Sequence, residues 1–174
     1  TLFRSVLAKF ELYTVDELMK ILKRTAGILD VDLNPDAARL IASRSRGTPR
    51  VANRLLKRIR DFAQVEGIIT INTDIVESSL KALGIDELGL EDLDRKILDL
   101  IISKFKGGPV GIDTIAASIG EERVTIEDAY EPYLMQMGLL ARTPKGRVVT
   151  DAAYKHMGLA APASNNEQLS FVTE

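Results

Sequence analysis

The chain has 174 residues, 45% hydrophobic and 28% charged, with a formal net charge of -2, no cysteine and one histidine, His156. That composition provides for two small cores and excludes disulfides, zinc-thiolate sites and a cysteine nucleophile, while a lone histidine makes a His-based triad or a multi-histidine metal site hard to build. No apolar run approaches the roughly 18 residues of a membrane span, and the N-terminus lacks the order of a signal peptide, so a soluble cytoplasmic protein is expected.

Residues 5 to 13, "SVLAKFELY", read as a short strand or extended entry. In "TVDELMKILKRTAGI", Thr14 and Glu17 form a capping box and Leu18, Ile21 and Leu22 fall at helical spacing, which predicts a helix over 15–25. Asn34 and Pro35 open a second helix that Gly47 ends, and Thr48 with Pro49 opens a third, over 49–64, by the same device. A short extended piece and a fourth helix over 73–83 complete a helical domain. Five acids and no cation in "DELGLEDLD", 86–94, read as a linker feeding a helix over 91–105, which stops at the breaker "GGPVG". Helices over 112–119 and 125–137 follow, the second kinked by Pro132. "GLLARTPKGRVVT" then reads as a β-hairpin and 151–157 as a last helix. Helix, helix, helix, hairpin is the order of a winged helix. The polar tail is expected to be disordered.

Two basic clusters stand out. Residues 39–60 hold Arg39, Arg44, Arg46, Arg50, Arg54, Lys57, Arg58 and Arg60 without one acid. A solvated helix face and a phosphate site are both open readings of such a run. Arg50 is the informative member: it falls at the second position of a predicted helix, where the helix dipole disfavours a cation by ~0.3–1 kcal/mol unless an anion is present. The second cluster, Arg142, Lys145 and Arg147, surrounds the hairpin turn beside Gly146, which would permit close approach to DNA. Three phosphate contacts there imply a salt slope of about -2.7. Glu127, Asp128 and Glu131 on the preceding helix would repel phosphate, which makes the wing and not that helix the DNA element. Phe105, Tyr130 and Tyr133 are read as packing residues and His156 as structural or surface. The chain has no Gly-Lys dipeptide and hence no P-loop of its own.

"RSRGTPRVANRLLKRIRDFAQV", followed by "DRKILDLIISKFKGGPVGIDTIAASIGEERVTIEDAYEPYLMQMGLLARTPKGRVVT", closely resembles the RuvB family of Holliday-junction branch-migration ATPases of the AAA+ class, over roughly residues 10–158. "RGTPR", "GGPVG", "EPYL" and "RTPKGR" occur in that family's order and spacing. The resemblance implies a mainly α chain: an entry segment at 1–14 from an ATPase core that lies upstream, an AAA+ helical lid at 15–84, a winged-helix DNA-binding domain with a β-hairpin wing at 85–158, and a tail at 159–174. It implies that Arg50 is the sensor-2 arginine that reaches nucleotide phosphate, beside Pro49, and that Tyr13 lies against adenine. Arg4 corresponds to the arginine finger only after a shift in "TLFRSV". The implied cofactor is ATP or ADP with Mg2+ in the full-length protein, with none bound by this part alone. The implied partners are Holliday-junction and duplex DNA, RuvA, RuvC and five further copies in a hexameric ring, in recombination, repair and the SOS response. Arg54, Lys57 and Arg58 are then expected to face a neighbouring domain or subunit, with Arg39 and Arg44 mainly solvated. A replication initiator of related arrangement and a winged-helix transcription regulator are the alternative readings.

Overall fold

The computed structural model describes residues 12–161 and divides the chain into two compact units, Thr1–Asp92 and Leu93–Glu174. Arg4, most of the expected strand over 5–13, and residues 162–174 of the tail lie outside the described residues.

The first unit is built from α1 (Val15–Ile28), α2 (Pro35–Ser43), α3 (Pro49–Val65) and α4 (Thr73–Ala82). Leu18, Leu22, Ile41, Leu56, Ile59 and Val76, each no more than 1% exposed, form the centre of one apolar cluster to which all four helices contribute. Removing a leucine or isoleucine side chain from such a centre costs about 2–5 kcal/mol. The helix starts follow local chemistry. Thr14 and Glu17 make the expected capping box on α1. Asn34 accepts from the Asp36 N–H at 2.9 Å to start α2, and Asn72 from the Ile75 N–H at 3.0 Å to start α4. A parallel pair of two-residue strands, β1 (Asp32–Leu33) and β2 (Thr70–Ile71), ties the ends of α1 and α3 together. Two residues are too few to show a period-2 pattern, so β1 leaves no sequence signal.

Residues 86–91, expected to be a linker, are folded onto this first unit. The Asp86 carboxylate accepts the N–H groups of Leu88 and Leu90 at 2.9 and 2.8 Å, and Leu90 is fully buried. Gly89 has φ +75°, and a Cβ there would lie 2.8 Å from the Arg44 carbonyl oxygen, so only glycine fits.

The second unit runs α5 (Asp92–Phe105, beginning one residue earlier in the first unit), α6 (Ile112–Ile119), α7 (Arg123–Thr125), a π-helical turn (Ile126–Tyr130), α8 (Glu131–Gln136), strands β3 (Leu140–Thr143) and β4 (Gly146–Val149), and α9 (Asp151–His156). The irregularity expected at Pro132 takes the form of the π turn. Proline has no N–H to return to residue 128, and the hydrogen-bond ladder widens just before it. The "GGPVG" segment does more than stop α5. Val110 and Arg147 exchange backbone hydrogen bonds at 3.0 and 2.8 Å, and the Val149 N–H reaches Gly107 at 2.9 Å, so this segment pairs along the outer edge of β4. The Gly108–Pro109 peptide within it is cis.

Candidate functional sites

The start of α3 differs from the starts of the other helices of the first unit. Thr48 occupies the N-cap position but makes no capping bond; its hydroxyl donates to the Arg46 carbonyl at 3.1 Å instead. The expectation that Thr48 and Pro49 repeat the Asn34–Pro35 device is thus met by proline and not by the threonine side chain. The first turns of α1, α2 and α4 carry Asp16 and Glu17, Asp36, and Asp74 respectively, whereas that of α3 carries no acid. Open amide N–H groups, no acid and an exposed Arg50 leave the positive end of this helix uncompensated. The Tyr13 N–H bonds to the Gly47 carbonyl at 2.9 Å, which brings Tyr13 to the turn that precedes Pro49 and Arg50. Gly47, at φ +63°, has room for no Cβ because Leu12 passes 2.7 Å from where it would stand.

The remaining cations of the basic stretch separate into three groups. Arg44 donates to the Glu87 carbonyl, Arg46 Nε donates to the Gly89 carbonyl at 3.0 Å, and Arg54 pairs with Glu91 at 2.8 Å. These three hold the 86–91 segment against the helices. This corrects one expectation, since Arg44 is not mainly solvated; Arg54 meets Glu91, a residue of the 85–158 stretch that the sequence assigns to the winged helix. Arg60 pairs with Asp61 at 2.7 Å, and Arg39, 60% exposed, with Asp16 at 3.3 Å. Among the described residues Arg50, Lys57 and Arg58 are left without an acidic partner, and with Asn53 and Arg54 they line one open groove of about 480 Å³.

At the wing, the register sets Arg142 directly opposite Arg147 and Thr143 opposite Gly146, with Pro144 and Lys145 at the turn. Side chains of directly opposed residues share a face, so two arginines there would repel. The acids of the preceding helix relieve that repulsion. Arg147 is 7% exposed and its guanidinium bonds Glu131, itself 3% exposed, at 2.9–3.3 Å, and Glu127 at 3.1 Å. Arg142 lies 3.5 Å from Glu127 and 3.8 Å from Glu131 and remains 57% exposed. Glu127 also accepts from Arg123, at 3.0 Å, and that bond, ahead of the one from Arg147, holds its carboxyl below the usual carboxylate range.

Three sequence-based expectations change here. Arg147 is a buried partner and does not stand with Arg142 and Lys145 at the surface. Glu127 and Glu131 serve the wing arginines, so they do not form a phosphate-repelling face; Asp128 is exposed. Gly146 permits a close approach, but of this chain's own backbone: a Cβ there would lie 2.5 Å from the Val110 oxygen. Glu131 is the residue sequence reasoning missed, although its four-residue spacing from Glu127 within the helix expected over 125–137 already placed the two acids on one helical face. Tyr133 is buried, and Phe105, Tyr130 and His156 are half-buried, as packing residues are. Among the described residues no cluster of three His, Cys, Asp or Glu side chains could hold a metal ion, and no helix is long and apolar enough to cross a membrane.

Comparison with known proteins agrees with this two-part architecture. Residues 13–86 match the model of the RuvB AAA lid domain, and residues 87–158 that of the RuvB C-terminal winged helix domain. Among solved structures, a RuvB Holliday junction branch migration motor from Thermotoga maritima is 52% identical with a TM-score of 0.85, over 88% of this chain and 51% of that one. A point variant of the same protein gives 52% and 0.86 over the same shares. The chain therefore spans about half the length of these relatives. Both family models are RuvB models, which favours neither the replication-initiator nor the transcription-regulator alternative. Consecutive family matches from residue 13 to residue 158, with 52% identity to a solved RuvB over 88% of the chain, place this chain in the RuvB family.

Proposed function

We propose that this chain is the C-terminal portion of a motor that hydrolyses ATP to drive branch migration of Holliday junctions in recombination and repair. The observation that carries the reading is the unbroken succession of RuvB lid and RuvB winged helix over residues 13–158. In it, the lid senses nucleotide through Arg50, and the wing touches DNA through Arg142 and Lys145.

The start of α3 suits a phosphate. Its amide N–H groups and the Arg50 fork are donors without a competing carboxylate, and a guanidinium binds phosphate by two parallel, charge-assisted bonds. Pro49 fixes the first turn, and Tyr13 offers an exposed ring at the same turn to an adenine face. ATP with Mg2+, when bound to the full-length protein, supplies the phosphoryl transfer. Arg50 contributes one fork from the lid, and the residues for the rest of that site belong to an ATPase domain that this part does not supply. Arg4 as the arginine finger, a hexameric ring, RuvA and RuvC as partners, induction in the SOS response and a cytoplasmic location belong to the same proposal. So does the boundary between lid and winged helix. Because 86–91 is clamped to the lid, we set that boundary after residue 91 and not after 84.

On the DNA side, two surface cations replace the three counted in the sequence, and the expected salt slope falls to about -1.8. Binding should be weak and independent of sequence. The test of the whole reading is ATP-dependent dissociation of a four-way junction by the full-length protein, with this chain alone showing no ATPase activity. A full-length protein that hydrolyses ATP without moving a junction contradicts it.

A further inference from the structure

Glu127 makes more ion pairs than the wing needs for its shape. Arg147 is already fixed by Glu131, which it meets through both Nε and NH2 at 2.9–3.3 Å inside the unit. Arg123 is satisfied jointly by Glu127 at 3.0 Å and Asp113 at 3.4 Å. Beyond its own 3.1 Å bond to Arg147, Glu127 adds a hold on Arg142, one of the two cations at the exposed end of the hairpin. That hold is loose: 3.5 Å to Glu127 and 3.8 Å to Glu131, with more than half of the arginine side chain open to solvent. Lys145 at the turn has no such partner among the described residues.

From this geometry we infer that Glu127 is an internal competitor for DNA phosphate, which restrains Arg142 and so sets the affinity of the wing for duplex DNA. The inference rests on the proposal that the wing contacts DNA. A phosphate oxygen approaching Arg142 meets a guanidinium already shared with a carboxylate, so each contact replaces one ion pair with another and gains only the difference. The hydrogen bond from Arg123 favours the charged form of that competitor and lowers its carboxyl below the usual carboxylate range. Arg147 cannot substitute for Arg142, since it is buried and its Nε and Nη2 are bonded to Glu131 and Glu127. The wing therefore has one ungated cation, Lys145, and one gated cation, Arg142. For a motor that advances along duplex, a contact that is readily exchanged for an internal one can be released at every step.

The test is fluorescence anisotropy of this chain with a labelled random-sequence duplex over a range of salt. Glu127→Gln should bind about two- to fivefold more tightly, the worth of one exposed ion pair. Its salt slope should match the parent's, because the same two phosphates are contacted. In an Arg142→Ala background the same substitution should give no gain. If the Gln variant does not fold, Glu127→Asp, which keeps the charge but shortens its reach toward Arg142, should move affinity in the same direction. Binding no tighter than the parent overturns the inference, and so does a gain that persists without Arg142. The double variant Arg142→Ala/Lys145→Ala separates the two readings. If it binds as the parent does, the wing is not the DNA element; if it binds more weakly while Glu127→Gln shows no gain, only the restraint is refuted.

Discussion

The start of α3 and the wing look alike in sequence, each a few arginines and lysines around a proline and a glycine, but the fold treats them differently. At the start of α3 it withholds what would neutralise the charge: Thr48 makes no cap, the first turn has no acid, and Arg50 is left exposed. At the wing it supplies acids, burying Arg147 against Glu131 and drawing Arg142 toward Glu127. Cations that the fold leaves uncompensated are available to a ligand. Those it buries against acids, as it does Arg147, serve the protein's own architecture, and counting them overstates the charge presented to a partner.

The largest expected effect separates Arg50 from its neighbours. In the full-length protein, Arg50→Ala should lower steady-state ATP turnover on the order of a thousandfold, the scale of phosphate-clamping arginines, or somewhat less for a sensor. Arg39→Ala, which removes a side chain paired with an exposed aspartate and with no other acid among the described residues, should leave turnover near the parental rate. Equal rates for the two would remove the distinction between the start of α3 and an ordinary charged face. Next in size is Gly146→Ala at the wing. With φ +136° and the Val110 oxygen 2.5 Å from the new Cβ, it should destabilise the protein by about 1–3 kcal/mol, read from denaturant unfolding. Had Gly146 served only approach to DNA, stability would be untouched and only binding would suffer.

Arg54→Ala should cost at most ~1 kcal/mol, because its pair with Glu91 is exposed on both sides. A larger loss would mean that the clamp on 86–91 holds the first unit together. The smallest effect is a pH dependence. The Glu127 carboxyl is lowered from 4.5 by Arg123, and so its contribution to stability is complete above that value and is lost as pH falls through the lower folded one. Melting temperature in acid should therefore decline less in Glu127→Gln than in the parent, and identical profiles would show that the pairing makes no contribution.

How much of this was legible in the sequence follows from how local each signal is. Capping residues, first-turn prolines and helical spacing act within a few residues, and they placed α1 to α4, α6 and the hairpin with their ends shifted by no more than a few residues. The two-residue strand at Asp32 carried too few positions to show a pattern. What lay beyond local reasoning was pairing across the fold. Nothing in the sequence near Arg147 announces Glu131, and nothing near Arg44 announces the backbone of Glu87, 43 residues on. Local reasoning therefore makes the acids on the helix before the hairpin repel DNA, whereas in the fold they neutralise the wing, and it makes Gly146 open the wing to DNA, whereas this glycine admits Val110. The Arg50 expectation depended less on distant pairing. A helix start imposes its own dipole, and the tertiary structure added only the missing cap.

The proposed division of the wing cations is one, Arg147, that builds the domain and two, Arg142 and Lys145, that contact DNA. Paired measurements on Arg147→Ala and Arg142→Ala test it most directly, each by thermal unfolding and by salt titration of duplex binding. Arg147→Ala leaves the buried Glu131 carboxylate with only the 3.8 Å contact from Arg142 among the described residues and should cost about 3–5 kcal/mol of stability. Arg142→Ala should cost less than about 1 kcal/mol while flattening the slope of log affinity against log salt by about 0.9. A variant lacking Arg147 that melts with the parent and loses that same 0.9 of slope would contradict the account, because Arg147 would then be a phosphate contact after all.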